Sequence, residues 1–431
     1  MKKSNLCKVR DTRLENGLTV LTDRMDDVRS ATLSFIYRIG ARDESAEWHG
    51  ISHFIEHAVF KGTTRRSTRD IAVEQDRLGG NLDAFTTHEE TGFAIKVLDE
   101  KLDRAFDLIG DMLCEPRFLE DDLVSEQNVI IEEMKMTDDS PEDLLSDIFN
   151  AEFFRESSLA RTITGTQETV RSFDSKRTRD YFEQAFTPEN LVIAAAGNVV
   201  HEHLVELAAK TFDLTPRPPA TPKAAESPKP SSPFVVRHRS DLEQAHLIIA
   251  TPFPSARDDE RYAADLLANI IGGGTSSRIW QTIREGRGLA YNVGASTTMY
   301  RDCGVFAIFA ATSPAQAREV VELSIAELSQ IVREGVTPDE LELAKDTARA
   351  SILLSLEDSA ARSASAAQIE IIHGRQISVE ETIARIDRVS LDDIFELAVR
   401  SFRPEALSFV ALGDLKRSEF TREAVLDGFA A

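Results

Sequence analysis

Three histidines and a glutamate lie within nine positions of the segment HGISHFIEHAVFKGT, residues 49–63. An α-helix turns once every 3.6 residues, so His53 and His57 share one face, and Glu56 lies beside them on that face. The opposite side of the predicted helix is apolar and carries Ile51, Ile55 and Ala58. The segment therefore predicts a helix that docks on a core and presents two imidazoles and a carboxylate on its other face.

The spacing of these side chains is suited to a metal site. Two histidines one turn apart can supply two of the three protein ligands of a catalytic zinc, and the fourth position then holds a water whose pKa falls to about 7. Glu56 is poorly directed to be a third ligand and suits the role of the base. The pattern His-x-x-Glu-His favours this interpretation over ordinary core or surface histidines. His49, four residues before His53, is expected in the loop that enters the helix.

A third ligand must come from another part of the chain, and the acidic segment 120–136 offers candidates. Glu126 and Glu133 are seven residues apart, which is two helical turns along one face, and Ile130 and Ile131 lie beside them for packing. Taken alone, such a segment is more typical of a solvated acidic helix face. These residues by themselves leave both interpretations open.

The elements that would position these side chains alternate between strands and helices. Segments 31–39 and 93–98 have the character of strands, whereas segments 100–113 and 120–136 have helical periodicity. The second half also mixes strands, such as VFAIFAAT, with long helices rich in Ala, Leu and Glu. The sequence predicts an α+β fold.

The two halves of the chain share a motif. FTPENLVIAAAGN closes the first half, and FRPEALSFVALGD closes the second. Five identities occur at one constant offset, namely Phe186/Phe402, Pro188/Pro404, Glu189/Glu405, Leu191/Leu407 and Gly197/Gly413. Each copy indicates a turn at Pro-Glu followed by a buried strand that stops at Gly. We therefore predict a duplicated domain.

A proline-rich stretch lies between the halves. Residues 214–234 contain seven of the chain's 15 prolines, a composition that excludes helix and central strand and favours an extended, semi-rigid spacer. We predict a first domain over residues 1–213, a linker over residues 214–233 and a second domain over residues 234–431.

Composition restricts the class of protein. Of the 431 residues, 42% are hydrophobic and 29% are charged, which is typical of a soluble globular protein. A formal net charge of -23 without a basic run disfavours nucleic acid as a partner. No apolar stretch predicts a membrane span or a secretory signal, and the three cysteines show no paired spacing. The cytoplasm is the expected location.

With these motifs the sequence resembles the pitrilysin/insulinase family of inverted-zincin metallopeptidases, in particular the β subunit of mitochondrial processing peptidase and its bacterial relatives. HFIEH is similar to the family's zinc motif, and EQNVIIEEMKM is similar to the segment that bears the last ligand. The resemblance implies one Zn²⁺ per chain, held by His53, His57 and Glu133. It further implies that Glu56 is the general base and that Glu126 supports a ligand.

The second half resembles the family's repeat that binds no metal. In IIGGGTSSRIWQTIREGRGLAYNV, the resemblance implies that Arg284 and Tyr291 grip the substrate and help to stabilise the reacting carbonyl. Without the resemblance, Arg284 would be a solvated helix residue and Tyr291 a strand aromatic. The family architecture implies two homologous α/β-sandwich domains that form a clam shell around an internal chamber, with peptides or extended, unfolded segments as substrates.

The segment GGNLDAFTTHEETGFAIKV resembles the family's edge strand. There, the backbones of Ala84 and Phe85 would pair with an extended substrate. Relatives often have Asn at the position of Asp83, a difference that leaves backbone pairing possible.

Other positions bear on specificity. In processing peptidases the residue that matches Phe60 lines the pocket for the side chain after the cut; alternatively, Phe60 packs in the core. Asp143 and Asp147 are one helical turn apart and match acidic residues that bind an arginine before the cut. The alternative for this pair is a solvated acidic face.

The leading hypothesis is a zinc-dependent metalloendopeptidase. The alternative is a non-catalytic scaffold or partner subunit of the same fold, which the retained base, ligands and Arg/Tyr pair disfavour. The resemblance also implies a homodimer, or a heterodimer with a related subunit.

Overall fold

The computed structural model describes residues 8–213 and 227–429. These residues form two compact units, each made of segments that are not contiguous in the chain. The first unit comprises residues 8–135, 161–213 and 352–380. The second unit comprises residues 136–160, 227–351 and 381–429.

The first unit is built on a six-stranded sheet with the order β1-β2-β6-β3-β5-β4. Its strands are β1 (Arg10–Arg13), β2 (Thr19–Arg24), β3 (Ser30–Tyr37), β4 (Leu82–Thr86), β5 (Thr91–Leu98) and β6 (Leu191–Gly197). The second unit contains a five-stranded sheet with the order β7-β11-β8-β10-β9. Its strands are β7 (Phe234–His238), β8 (Ala245–Phe253), β9 (Ala290–Met299), β10 (Gly304–Thr312) and β11 (Ser408–Gly413).

Helices account for most of the remaining regular structure. In chain order, the α-helices of the described residues are α1 (Ile51–Ala58), α2 (Thr68–Leu78), α3 (Leu102–Cys114), α4 (Glu120–Asp139), α5 (Pro141–Phe153), α6 (Gln167–Arg171), α7 (Ser175–Ala185), α8 (His201–Thr211), α9 (Arg261–Gly272), α10 (Ala317–Glu334), α11 (Pro338–Ser355), α12 (Ser359–His373), α13 (Val379–Arg388), α14 (Leu391–Ser401) and α15 (Arg422–Leu426). Across residues 8–213 and 227–429, no helix has both the length and the apolar character that a bilayer crossing requires.

The two sheets repeat one connectivity. In the first, β6 pairs parallel to β2 and antiparallel to β3, and β5 lies between β3 and β4. In the second, β11 pairs parallel to β7 and antiparallel to β8, and β10 lies between β8 and β9. The five strands β2 to β6 of the first sheet therefore have the same spatial arrangement, taken in chain order, as the five strands β7 to β11 of the second sheet. The predicted α+β fold and its duplication are confirmed.

The strands of the repeated motif are central in both sheets. Every residue of β6 and of β11 is buried, and each strand stops at the matched glycine. A short 3₁₀ turn over Pro188–Asn190 precedes β6, as the Pro-Glu motif predicts. Of the predicted proline-rich linker, residues 214–226 lie outside the described residues, and residues 227–233 have no regular secondary structure.

Each sheet is built from strands of one half of the chain and is covered by a helix from the other half. On the first sheet, Ala366 and Ala367 of α12 pack against Ile36 of β3 and Val192 of β6. In the second unit, α5 packs against β8 and β11. The buried apolar residues of α5 at this contact are Leu145, Phe149 and Phe153. The compact units therefore do not coincide with the predicted linear domains. An amphipathic pattern shows that a helix has an apolar face, but it does not show which sheet that face covers.

Candidate metal centre

Helix α1 carries the His-x-x-Glu-His motif and is anchored by its apolar face. Ile51, Phe54 and Ile55 are completely buried in the core of the first unit. His53 and His57 lie on the other face and are half-buried. The amphipathic pattern of the sequence therefore predicted both the helix and the direction of its polar face. His49 precedes the helix, as predicted, and its Nε2 atom lies 2.7 Å from the carbonyl oxygen of Thr162.

A buried carboxylate holds the N-terminus of α1. The Glu44 side chain accepts hydrogen bonds from the backbone N–H groups of Gly50 at 2.7 Å and Ser52 at 2.8 Å. These are amide groups that a helix cannot satisfy internally. Burial raises the pKa of Glu44 to about 7, even though the two amide hydrogen bonds favour its ionised form. Glu44 therefore fixes where the helix begins.

The donor atoms of His53, His57 and Glu133 converge. One ligand atom from each lies within 4.8 Å of the others. The Oε2 atom of Glu133 is 3.8 Å from Nε2 of His53 and 3.6 Å from Nε2 of His57. Two imidazole nitrogens and one carboxylate oxygen are a donor set that suits zinc, and these separations fit a small cation whose ligand bonds are about 2.0–2.2 Å. The three residues therefore fit a zinc site.

Helix α4 brings Glu133 to this site. Ile130 and Ile131 are buried and dock the helix, while Glu126 and Glu133 lie two turns apart on the side that faces α1. The sequence spacing alone left this segment open to interpretation as a solvated acidic helix. The contacts of both glutamates with His57 favour the ligand interpretation.

Glu126 orients His57. Its Oε2 atom lies 3.2 Å from Nδ1 of His57, and its Oε1 atom lies 2.5 Å from Nζ of Lys61. Burial raises the pKa of Glu126, but the hydrogen bonds from His57 and Lys61 outweigh burial and lower it. Burial also disfavours protonated His57, yet the hydrogen bond to Glu126 and the charges of Glu133 and Glu56 raise the pKa of His57. A ring whose Nδ1–H donates to Glu126 leaves Nε2 to bind the metal.

His53 has a different environment. Burial, and the nearby His57, lower its pKa to about 4, so the imidazole is neutral at physiological pH, as a metal ligand must be. Its Nδ1 atom is buried and has no hydrogen-bond partner among the residues that the structure describes. The two candidate histidine ligands are thus held unequally: His57 contacts a carboxylate, whereas His53 is held by packing.

Glu56 lies beside the candidate ligands, two of which, His57 and Glu133, exert charge effects on its carboxyl group. The hydroxyl of Thr86 donates a hydrogen bond to its Oε2 atom at 2.6 Å. Burial and the charge of Glu133 raise the pKa of Glu56, whereas the hydrogen bond from Thr86 and the charge of His57 lower it. A carboxylate with a raised pKa next to a metal site suits a group that accepts a proton.

The predicted substrate residues of the first unit lie near this site. Strand β4 is an edge strand that pairs with β5 alone among the described strands, and its Ala84 is half-buried whereas Asp83 and Phe85 are exposed. The ring of Phe85 lies over Gly92, its cross-strand partner. Phe60 follows α1 in a short 3₁₀ turn, packs against the core and remains half-buried, with its ring centroid 6.3 Å from that of Phe93. The role of Phe60 in a substrate pocket stays a prediction.

Arg284 and Tyr291 contact each other in the second unit. The Nη1 atom of Arg284 donates to the backbone carbonyl of Tyr291 at 2.8 Å, and its guanidinium lies 4.3 Å from the centre of the Tyr291 ring. Arg284 also stacks on Trp280, and Tyr291 is 79% exposed. The pair is thus preassembled, with a phenol directed to solvent.

The remaining predicted residues, Asp143 and Asp147, both lie on α5, one helical turn apart. Burial, then Asp143 and Asp138, raise the pKa of Asp147 to about 6. The roles of Arg284, Tyr291, Asp143 and Asp147 remain predictions.

Three residues of the site were not found from the sequence: Glu44, Lys61 and Thr86. Lys61 follows His57 by four residues, so its spacing could have indicated it. Glu44 precedes α1 in a loop and Thr86 lies on β4, and each reaches α1 only through the folded structure, so no local sequence pattern marks them.

Two family models match most of the chain. A model described as "Insulinase (Peptidase family M16)" matches residues 19–167, and one described as "Peptidase M16 inactive domain" matches residues 172–348. In keeping with the second description, the described residues of this second segment include no group of three His, Cys, Asp or Glu side chains that could hold a metal.

Curated relatives cover nearly all of the chain. An uncharacterized zinc protease of Streptomyces coelicolor is 36% identical over 422 residues, which is 96% of this chain and 91% of the relative. An uncharacterized zinc protease of Bacillus subtilis is 33% identical over 398 residues, with 92% and 97% covered.

The fold also matches solved structures. A protease from Helicobacter pylori has a TM-score of 0.85 at 22% identity, and the match covers 94% of this chain and 99% of that one. A Pseudomonas fluorescens structure described as a peptidase M16 inactive domain also has a TM-score of 0.85, at 19% identity, with 94% and 98% covered. The family models and the names of the relatives support a zinc metallopeptidase in general terms. Because relatives more than 30% identical span over nine-tenths of its length, this chain belongs to the insulinase family of peptidases.

Proposed function

We propose that this protein is a zinc-dependent endopeptidase that cleaves peptides or extended, unfolded polypeptide segments. The convergence of the His53, His57 and Glu133 donor atoms, with the Glu56 carboxylate beside them, is the observation that carries the proposal. His53, His57 and Glu133 would hold the metal.

Zinc at such a site supplies Lewis-acid chemistry and lowers the pKa of its bound water to about 7. The residues of the chain do the remaining work. Glu56 accepts the proton of the attacking water and later gives it to the leaving amine. Arg284 and Tyr291 can each donate to the oxygen on which negative charge develops.

Substrate recognition would use the exposed edge of β4. An extended peptide can add to an unpaired strand edge through backbone hydrogen bonds, so the edge selects extended chains rather than a particular sequence. Phe60 would contribute to the pocket for the residue after the cut. Asp143 and Asp147 would favour substrates that contain arginine. We further propose that the protein acts as a homodimer, or as a heterodimer with a related subunit.

Zinc content and cleavage of a peptide library, measured with and without a chelator, test this proposal. We expect about one zinc per chain, and chelator-sensitive cleavage products that mass spectrometry can map to individual bonds. Protein that binds no zinc and cleaves no peptide would instead support a non-catalytic scaffold or partner subunit.

A further inference from the structure

We propose that Thr86 is the positioning residue of Glu56: its hydroxyl holds one carboxylate oxygen, so that the other oxygen is presented to the reacting water. This inference rests on the proposed function, because it assigns Glu56 the role of base. The hydrogen bond from Thr86 Oγ1 to Glu56 Oε2 is 2.6 Å long and is partly buried.

The alternation of β4 directs Thr86 towards α1. Leu82 is buried, and Ala84 and Thr86 are half-buried, whereas Asp83 and Phe85 between them are exposed. Successive strand residues point to opposite faces, so Thr86 shares the inner face with Leu82 and Ala84. Thr86 is also the last residue of the edge strand that would pair with the substrate. Strand β4 therefore contacts the proposed base and would also pair with the peptide. It would thus fix the position of the base relative to the peptide.

The second repeat contains the same kind of hydrogen bond. The hydroxyl of Thr297 on β9 donates to Oδ1 of Asp265 on α9 at 2.7 Å. Like β4, β9 is the edge strand at the end of its sheet. Like α1, α9 is the first α-helix after the second strand of its repeat.

The register of the sheets shows that the two threonines are equivalent. In the first sheet, the cross-strand path runs through Phe85, Gly92, Ile36 and Val192. In the second sheet, the path runs through Ser296, Ala307, Ala250 and Ser408. Val192 and Ser408 each follow the matched leucine of the repeated motif. Thr86 and Thr297 each lie one residue further along the edge strand, so they occupy the same position of the repeat.

Comparison of the two equivalent hydrogen bonds distinguishes a role in stabilising the fold from a role in catalysis. Among the described residues, the group of three or more His, Cys, Asp or Glu side chains that could hold a metal is His53, His57 and Glu133, so the bond between Thr297 and Asp265 joins a helix to an edge strand outside that group. In the first repeat, the equivalent hydrogen bond is accepted by Glu56, the proposed base. The second repeat therefore provides a matched control within the same chain.

Kinetics of Thr86→Val, Thr86→Ser and Thr297→Val test the inference. Valine keeps the shape of threonine and removes the hydroxyl. For Thr86→Val we expect kcat to fall by about 10- to 100-fold while KM and zinc affinity change by less than about threefold. Thr86→Ser should restore most of kcat because it keeps the donor. Thr297→Val should leave kcat within about twofold of wild type. A Thr86→Val enzyme with wild-type kcat would overturn the inference and leave the proposed function intact.

Thermal unfolding of the zinc-free full-length protein gives a readout that does not depend on activity. Thr86→Val should lower Tm by about 2–4 °C in the wild-type background and by less than about 1 °C in a Glu56→Met background, because the partner is then already absent. Equal losses in both backgrounds would show that the two side chains do not interact and would overturn the inference. If the wild-type protein binds zinc but cleaves no peptide, the proposed function fails, and with it the role of Thr86 as the positioning residue of a base.

Discussion

The Nδ1 atom of His57 lies 3.2 Å from the Oε2 atom of Glu126, and this contact determines which nitrogen of the ring is available to a metal. The other oxygen of the same carboxylate lies 2.5 Å from the ammonium group of Lys61. A buried carboxylate between a histidine and a lysine keeps its charge, because both neighbours donate to it. The Nε2 atom of His57 is left on the side of Glu133, where the proposed metal binds.

Loss of this carboxylate, or of the lysine beside it, should weaken zinc binding. We expect Glu126→Gln to reduce zinc affinity by about 10- to 100-fold, which is typical when a group that orients a metal ligand is removed. Lys61→Met should have a smaller effect in the same direction, because Glu126 then lacks its cation. Competition with a chromophoric chelator measures both values. Lys135→Met is the control, since Lys135 pairs with Glu132 on the exposed side of α4; an equal loss of affinity there would contradict the argument.

Glu56→Gln should separate zinc binding from catalysis. The amide cannot accept a proton, so we expect kcat to fall by about 10²- to 10⁴-fold while zinc content stays at the wild-type value. Glu132→Gln is the matched control, because it is the same change at an exposed glutamate on α4. Normal cleavage by Glu56→Gln would show that another group is the base.

The loop before α1 should tolerate no side chain at Gly50. Its φ is +92°, and a Cβ atom would lie 2.7 Å from the backbone of Gly165. We expect Gly50→Ala to lower the free energy of unfolding by about 3 kcal/mol, from left-handed strain plus overpacking. Gly374→Ala isolates the strain, because Gly374 has φ +64° and, among the described residues beyond its chain neighbours, no atom lies within 4 Å of the place that a Cβ would occupy. It should cost about 1–2 kcal/mol. Denaturant titration measures both, and equal losses would rule out the clash.

Selectivity for arginine should depend on pH if Asp147 binds the substrate. The pKa of Asp147 is raised to about 6, so the carboxylate gains its charge as pH rises through 6, while arginine stays protonated. We expect the ratio of kcat/KM for an arginine peptide to that for its citrulline analogue to increase roughly tenfold from about pH 5 to pH 7. Loss of zinc at low pH affects both peptides and cancels in the ratio. Asp147→Asn should make the ratio independent of pH, and a ratio that is flat in wild type would exclude this role for Asp147.

The parts of the fold that depend on local pattern could be predicted from the sequence. The strand-like character of residues 31–39, residues 93–98 and the segment VFAIFAAT located β3, β5 and β10, and helical periodicity located α3 and α4, within a few residues of their observed ends. The matched Pro-Glu motifs located the central strands β6 and β11. The candidate metal ligands on α1 could be selected by helical spacing, because residues four apart share a face.

The long-range contacts could not be predicted. Nothing near Thr86 in the sequence indicates that its hydroxyl meets Glu56, 30 residues away, since that contact depends on how β4 lies against α1. The sheets that α5 and α12 cover could not be predicted either, because the sequence of each helix indicates an apolar face but not the sheet against which that face packs. Glu133 was one of two candidate carboxylates until the resemblance to a family selected it, and the structure brings its oxygen to the two histidines.

The position of α12 has a consequence for how the chain is made. The first sheet receives this covering helix only from residues 359–373, long after its last strand ends at Gly197. During translation, Leu21, Ile36 and Val192 therefore lack the part of their apolar cover that α12 supplies until the ribosome has passed the proline-rich stretch and most of the second half. A nascent chain in this state exposes a sheet face that invites aggregation, so chaperones would be expected to act on it before synthesis ends. A polypeptide cut after residue 213 would keep that exposed face permanently.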